Sequence, residues 1–280
     1  MDYIVYHQYK PGSDCPDGIC AAWIASKALP DAKVIGWAYQ TPPPDFLKPG
    51  DRITCVDFSF PATVVNEWQE QGINVTIIDH HETALNDLKG LSDRITMKFD
   101  LSECGATLAW KHFFPDRPMP VFLEYVRDRD LWNWELTETY AVHEAMGALG
   151  RKFALLDRLA DMTREQLLSF LLPIGEPLAA PKQKLVQEVA DRFEWADVAG
   201  YKVPLVKLQP TEDRLVSEVC TVLYKRFPDA PFTACLMSDG ISYGLRSDKN
   251  GNNTDVGAIA KSQGGGGHRN ASGFQTPSNT

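Results

Sequence analysis

Residues 74–81 read Asn-Val-Thr-Ile-Ile-Asp-His-His. The apolar run Val75 to Ile78 has the length and β-branched content of a buried strand, and three residues of metal-ligating type follow at its end. A second string lies near the other end of the chain, Gly264-Gly265-Gly266-Gly267-His268-Arg269-Asn270-Ala271-Ser272-Gly273. It reads as a flexible loop that opens a helix and turns its backbone N–H groups toward an anion. A hard-metal cluster paired with a phosphate-accepting loop is the equipment of a phosphoester hydrolase.

The flanking pattern alternates strands and helices. Tyr3 to His7, Lys33 to Tyr39, Arg52 to Phe58, Asn74 to Ile78 and Ile95 to Phe99 read as strands, with helices over 18–29, 61–71 and 105–114. Helix-length crossovers between strands predict a mostly parallel sheet. From about Pro120 to Val198 the apolar spacing is helical, including Leu155, Leu159, Leu167, Leu171 and, further on, Phe193 and Trp195. The last segment returns to mixed structure, with strands over 203–208, 232–237 and 241–246 and helices over 213–227 and 256–261. The expected fold is therefore α/β: an N-terminal, mostly parallel sheet flanked by helices (1–150), a helical connector (151–198) and a smaller C-terminal α/β domain (199–280). The prolines and glycine of 173–181 suggest a joint.

Composition narrows the class. The 280 residues have ordinary apolar content and carry 28 basic against 37 acidic residues, a net charge of −9. That balance argues against wrapping long duplex DNA, but not against a short anionic ligand held by a local site. Six cysteines without framework spacing are expected as reduced thiols. No apolar run approaches the roughly 20 residues of a membrane span, and the first residues lack a signal-peptide pattern, so a cytoplasmic, membrane-free protein is expected.

In a parallel sheet, functional side chains gather where strand ends meet loops. His7, Asp57 and Asp79-His80-His81 occupy such ends, and Asp17 sits at the turn into the first helix. Carboxylates suit hard divalent ions, and imidazole shifts the preference toward Mn²⁺ or another transition ion. One carboxylate bridging two ions about 3.5–4 Å apart would let the pair activate water and stabilise charge on phosphoryl oxygens.

With these motifs in order, the chain resembles the DHH superfamily of phosphoesterases, RecJ-like and nanoRNase-like, with a C-terminal DHH-associated domain of the first subtype. The likeness covers nearly the whole chain. Its motifs are matched by His7 with Asp14-Cys15-Pro16-Asp17-Gly18, by Val56-Asp57-Phe58-Ser59, by Asp79-His80-His81 with Gly105-Ala106-Thr107 following, by Asp128-Arg129-Asp130-Leu131-Trp132, and by the glycine loop preceded by Leu245-Arg246-Ser247. The resemblance implies that His7 and Asp57 hold a first ion. Asp17, Asp57, His80 and an aspartate of the fourth motif hold a second, with Asp128 preferred over Asp130. His81 would contact the scissile phosphate as a general acid, and Asp79 would orient the histidines. Arg246, Gly265, Gly266, Gly267, His268, Arg269 and Asn270 would grip a terminal phosphate or the nucleotide, and the cleft between domains would measure substrate length. Where the family has two aspartates one residue apart, Cys15 replaces the first. Asp14 beside it or Cys15 itself can fill the ligand position, and a thiolate would favour softer ions.

The expected activity is Mn²⁺-dependent hydrolysis of short single-stranded oligonucleotides to mononucleotides, with two ions and with Mg²⁺ or Co²⁺ as alternatives. The enzymatic alternative is a small nucleotide, pAp or a cyclic or linear dinucleotide. The alternative of another class is a degenerate member that binds nucleotide without turnover. A homodimer is kept open, and Trp132 and Trp134 fit base stacking and core packing equally.

Overall fold

A computed structural model describes residues 1–39, 41–91 and 95–277. The chain divides into two compact units, Met1–Ala179 and Ala180–Thr280.

The first unit opens with β1 (Asp2–Lys10), the short β2 (Ser13–Asp14) and α1 (Pro16–Ala28), then β3 (Lys33–Ala38) and β4 (Arg52–Val56). It continues with α2 (Ala62–Glu70), β5 (Asn74–Asp79), α3 (Glu82–Leu88), β6 (Thr96–Phe99) and α4 (Gly105–Phe113). Strands β3-β1-β4-β5-β6 lie side by side and all pair in parallel, while β2 folds back antiparallel on the end of β1. The α/β reading with a mostly parallel sheet holds.

Strand alternation sorts the two faces. Ile4 and Tyr6 of β1, with Val56 and Ile78, pack under α1 and α4. Tyr3 and Val5, with Ile53, Cys55, Val75 and Ile77, pack against Val65 and Trp68 of α2. Helices therefore cover both faces. The chain leaves β1 toward β3 on one side and returns to β4 on the other, so the C-terminal ends of β1 and β4 border the reversal of strand order, where an open α/β sheet leaves a crevice. Small residues make close helix packing achievable on the α1 side: Ala21, Ala22 and Ala25 of α1 and Ala106 and Ala109 of α4 are fully buried.

Helices α5 (Phe122–Asp130), α6 (Thr139–Leu149) and α7 (Phe153–Ala160) follow. Leu156 and Leu159, together with Leu167 and Leu171, join the core beneath α1. The segment expected as a connector is thus shared between the units, its first part packed in the core of the first. The boundary between the two units, at Ala179 and Ala180, falls inside the expected joint at 173–181, and α8 (Arg164–Ala190) continues through it. Pro173, Pro177 and Pro181 recur every fourth residue and so share one helix face, where their missing hydrogen bonds fall together. Between them, Gly175 meets the backbone of Ala141, and a Cβ there would overlap the Ala141 carbonyl oxygen.

The second unit holds β7 (Glu194–Val198), β8 (Tyr201–Lys207), α9 (Val216–Arg226), β9 (Thr233–Leu236), β10 (Ser242–Arg246), α10 (Val256–Ser262), β11 (Gly266–His268) and β12 (Ala271–Gln275). Their sheet order is β11-β12-β10-β9-β8-β7. Trp195, expected on a helix, lies on β7 opposite Pro204 of β8. The helical spacing of Phe193 and Trp195 is overridden by this hairpin, whose turn places Ala199 and Gly200 at positive φ. The glycine run is a second correction. It does not open a helix but follows α10 and leads into the β11–β12 hairpin, where Gly265 closes on the Gly273 carbonyl with no room for a side chain. All six cysteines are free and buried. Among the described residues no helix is long and apolar enough to cross a membrane.

Gly175→Ala is expected to destabilise the protein by about 1–3 kcal/mol through overpacking against the Ala141 carbonyl. A thermal melt followed by circular dichroism checks this, and an unchanged midpoint would contradict the packing described.

Candidate metal centre

The site is built on Asp57, one residue beyond the end of β4. Its backbone is in the left-handed region (φ 54°), where non-glycine residues carry strain. Its N–H donates to the Ile78 carbonyl at 2.9 Å, so the strained residue is tied to the end of β5. Its side chain is 1% exposed. Gly105, the first residue of α4, rests directly on it, and a Cβ there would overlap the Asp57 side chain.

The two oxygens of Asp57 face different groups. Oδ2 lies 3.5 Å from His7 Nδ1, and Oδ1 lies 3.2 Å from His80 Nε2. His7, Cys15 and Asp57 bring ligand atoms within 4.8 Å of one another, and so do Asp17, His80 and Asp130. Asp57, Asp79, His80 and His81 form a third such group. Asp57 thus belongs to two of these three groups.

Hydrogen bonding divides the carboxylates around this cluster into two kinds. Both Asp57 oxygens and Oδ2 of Asp130 are buried without a hydrogen-bond partner. A buried unsatisfied carboxylate is expensive and calls for a compensating charge. Asp79 is the opposite case. Its Oδ2 accepts from Ser59 Oγ at 2.5 Å, and its Oδ1 accepts from the N–H groups of His80 (2.7 Å) and His81 (3.2 Å) and from His81 Nδ1 (2.6 Å). A carboxylate so engaged orients its neighbours. It fixes the His81 ring with Nδ1 inward and leaves Nε2 to face outward.

The fourth motif resolves the same way. Asp128 accepts from the N–H groups of Glu135 (2.9 Å) and Leu136 (3.2 Å) and from Thr139 Oγ1 (2.5 Å). It pins the turn after α5, in which Trp132 and Trp134 both take positive φ. Asp130, not Asp128, stands 3.5 Å from His80 Nε2. The preference for Asp128 is corrected: its oxygens are spent on backbone and hydroxyl donors. Trp132 and Trp134 pack edge-on against each other at 5.0 Å and carry the Arg129 guanidinium over their rings.

The first motif follows suit. Asp14 accepts from Tyr6 Oη (2.8 Å) and Gln8 Nε2 (2.7 Å) and stays outside the cluster, while Cys15 is inside it. Asp17 accepts from the N–H groups of Gly105 (2.6 Å) and Ala106 (2.9 Å) at the N-terminus of α4, which anchors it 3.8 Å from His80 Nε2.

Electrostatics agree with a cation-binding donor set. Burial, then the Asp57 and Asp130 charges, push the Asp17 carboxyl well above its usual range. Burial and the Asp57 charge likewise raise Asp130. Burial would raise Asp57 too, but His7 and His80 outweigh it and hold that carboxyl low. His80 is pushed up to about 10: burial opposes its charge, and the carboxylates of Asp57, Asp130 and Asp17 prevail. Mutually repelling carboxylates that compete for one imidazolium are relieved by a divalent ion. The residues present fit one.

In the second unit, Arg246 lies opposite Ala271 across β10 and β12. Its Nε and Nη2 donate to Ser217 Oγ at 3.2 and 3.0 Å. Arg269 pairs with Asp255 at 3.4 Å, and Asn270 Nδ2 donates to Ser247 Oγ (2.8 Å) and Asn253 Oδ1 (2.9 Å). Gly266, Gly267 and His268 are exposed on the edge strand β11. The structure thus gathers the predicted phosphate-binding residues on one hairpin and its neighbour. Tyr39 was not anticipated. It stands 5.2 Å from the His7 ring and 6.1 Å from the His81 ring, yet is 45% exposed. Nothing in its local sequence distinguishes it from a core aromatic.

No family model matches the chain. Two solved structures share its architecture. One is the pGpG-specific phosphodiesterase PggH from Vibrio cholerae, at TM-score 0.58 and 16% identity, covering 98% of this chain and 92% of that one. The other is the DHH domain of a protein assigned to a family of ribosomal proteins, at TM-score 0.61 and 13% identity, covering 98% of this chain and 82% of that one. The likeness is one of fold. By sequence, the chain is 27% identical over 235 residues to the uncharacterized protein R106 of Acanthamoeba polyphaga mimivirus, covering 82% of this chain and 54% of that protein. The chain thus spans about half the length of this curated relative.

Two variants separate the aspartates of the fourth motif. Asp128→Ala is expected to lose about 2–4 kcal/mol of stability, since three donors lose their acceptor. Asp130→Ala is expected to keep the thermal midpoint of metal-stripped protein and to lower the divalent metal retained per chain after dialysis against Mn²⁺. Melting curves with elemental analysis read both, and equal metal content in Asp130→Ala and the parent would remove Asp130 from the ligand set.

Proposed function

We propose that the protein is a divalent-metal-dependent phosphoesterase that hydrolyses the phosphodiester bonds of short oligonucleotides, releasing mononucleotides. The observation that carries this reading is the buried Asp57, whose two free oxygens address two separate ligand groups. His7, Cys15 and Asp57 would hold one ion, and Asp17, Asp57, His80 and Asp130 the other. Bound there, the ions supply charge to the phosphoryl oxygens and lower the pKa of a nucleophilic water. Mn²⁺ suits the mixed histidine and carboxylate donors, and Mg²⁺ or Co²⁺ would be admissible.

The remaining chemistry belongs to the chain. His81, protonated on both ring nitrogens, would offer Nε2–H to the departing oxygen, and Asp79, accepting from Nδ1, stabilises that imidazolium. Asp79 also raises the His81 pKa against the effect of burial, which favours the acid form. The helix N-terminus of α4, held by Asp17, ties the ligand set to the sheet. In the second unit, Arg246, the backbone of Gly265 to Gly267, and His268, Arg269 and Asn270 are assigned to a substrate phosphate. The V. cholerae neighbour acts on pGpG, which favours a linear dinucleotide as the second reading for this chain.

The test is product analysis on end-labelled RNA of two to ten nucleotides, with pAp and cyclic dinucleotides alongside, using metal-stripped protein to which Mn²⁺ is restored. Mononucleotide release fastest from the shortest chains is expected, with turnover in Asp57→Ala lower by about a thousandfold or more, the order expected when several kcal/mol of metal-assisted charge stabilisation is lost. Hydrolysis of pAp or dinucleotides alone would replace the oligonucleotide reading, and activity retained in Asp57→Ala would refute the shared carboxylate.

A further inference from the structure

Beside the ligand cluster, within the first unit, lies a cavity of about 180 Å³. Asp17 and Asp130 form its wall toward the metal centre, and Arg129 and Arg151 also line it, with Tyr9 and His143. At a share of about 30 Å³ per water, it has room for roughly six waters. That space takes a phosphate group with residual solvent.

The two arginines are unusual in an acidic protein. Among the described residues, no carboxylate lies within ion-pair distance of either. Arg151 donates from Nη2 to the His143 carbonyl at 2.9 Å, which steers the guanidinium and leaves Nε and Nη1 without a hydrogen-bond acceptor among the described residues. Gly147 leaves room beside it, since a Cβ there would stand 3.3 Å from Nη2. Burial disfavours the charge and lowers the Arg151 pKa, while Glu144 acts in the opposite sense. Arg129 is fixed differently, its guanidinium centre 4.2 Å from the Trp132 ring centre and 5.2 Å from that of Trp134. Stacking on aromatic faces leaves the edge of the guanidinium able to donate. Cations kept half-buried without an anionic partner are costly unless a ligand supplies the partner.

We propose that this cavity is a subsite for a second, non-scissile phosphate of the substrate, recognised by Arg151 and Arg129. It rests on the phosphoesterase reading for its role in catalysis and narrows the substrate class. The favoured substrate carries a second phosphate beside the bond that is cut, as a terminally phosphorylated short oligonucleotide does and a simple phosphomonoester does not. Asp17 and Asp130 would repel that phosphate while uncompensated, so occupancy of the metal centre and of the subsite should reinforce each other.

Calorimetric titration of inorganic phosphate into the full chain, with and without Mn²⁺, tests the subsite independently of turnover. Arg151→Gln is expected to weaken phosphate binding about tenfold, the share of one charge-assisted hydrogen bond, and Arg151→Lys to recover part of the loss. Phosphate affinity unchanged by Arg151→Gln under both conditions, or no phosphate binding by the parent, overturns the subsite. Arg151-dependent phosphate binding in a protein that hydrolyses no phosphoester supports the subsite and fails the catalytic reading instead. Should Arg151→Gln not fold, Arg129→Gln is read in the same way.

Discussion

The arrangement hangs on one buried carboxylate in an unfavourable backbone conformation. Asp57 adopts φ 54° immediately after β4, is tied by its N–H to β5 and is covered by the first glycine of α4. Left-handed backbone at a non-glycine residue and a buried, unsatisfied carboxylate each cost free energy. The parallel sheet and the close α1–α4 packing hold Asp57 there against both costs. What results is a carboxylate whose oxygens diverge toward His7 on β1 and His80 after β5. Either a longer side chain at Gly105 or an ordinary turn at Asp57 would close that divergence.

Around Asp57 the other acidic residues divide by where their lone pairs go. Asp79, Asp128 and Asp17 accept from backbone N–H groups and hydroxyls. Asp79 and Asp128 are thereby scaffold, and Asp17, anchored at a helix N-terminus, still reaches the cluster. Asp57 and Asp130 carry unsatisfied oxygens into the same small volume. Burial raises both carboxyls: at Asp57 the His7 and His80 imidazoles reverse it, whereas at Asp130 burial and the Asp57 charge prevail over His80. The cavity beyond Asp130 carries the complementary sign, with two arginines that lack carboxylate partners among the described residues. Positive and negative groups thus stand side by side, unpaired, across a few residues of α1, α5 and the connection between α6 and α7.

The first unit was readable where local pattern and tertiary need coincide. The β-branched run before Asp79-His80-His81, the small-residue helix after Cys15 and the crossover spacing lead to a parallel sheet without reference to anything else. Reading was poorer where a long-range partner decides. The β7 hairpin takes Trp195 out of its helical spacing. The glycine run serves a hairpin, because the close approach of Gly265 to β12 is a tertiary contact. The three prolines of α8 do lie at the boundary between the units, but in a continuous helix and not in a loop.

The sequence by itself determined the order of elements, the sheet's parallel character and the placement of histidines and aspartates at strand ends, because these follow from hydrophobic period and turn chemistry within a few residues. Only the tertiary structure decided that Asp130 and Cys15, and not Asp128 and Asp14, lie inside the cluster. Neighbouring residues of ligand type are equivalent in a sequence until donors from elsewhere claim one of them. Glu135, Leu136 and Thr139 claim Asp128, Tyr6 and Gln8 claim Asp14, and the residues left unclaimed face the centre. Arg151 has no signal of its own in the sequence. It meets the aspartates of the centre only because α1, α5 and α6 fold around one cavity.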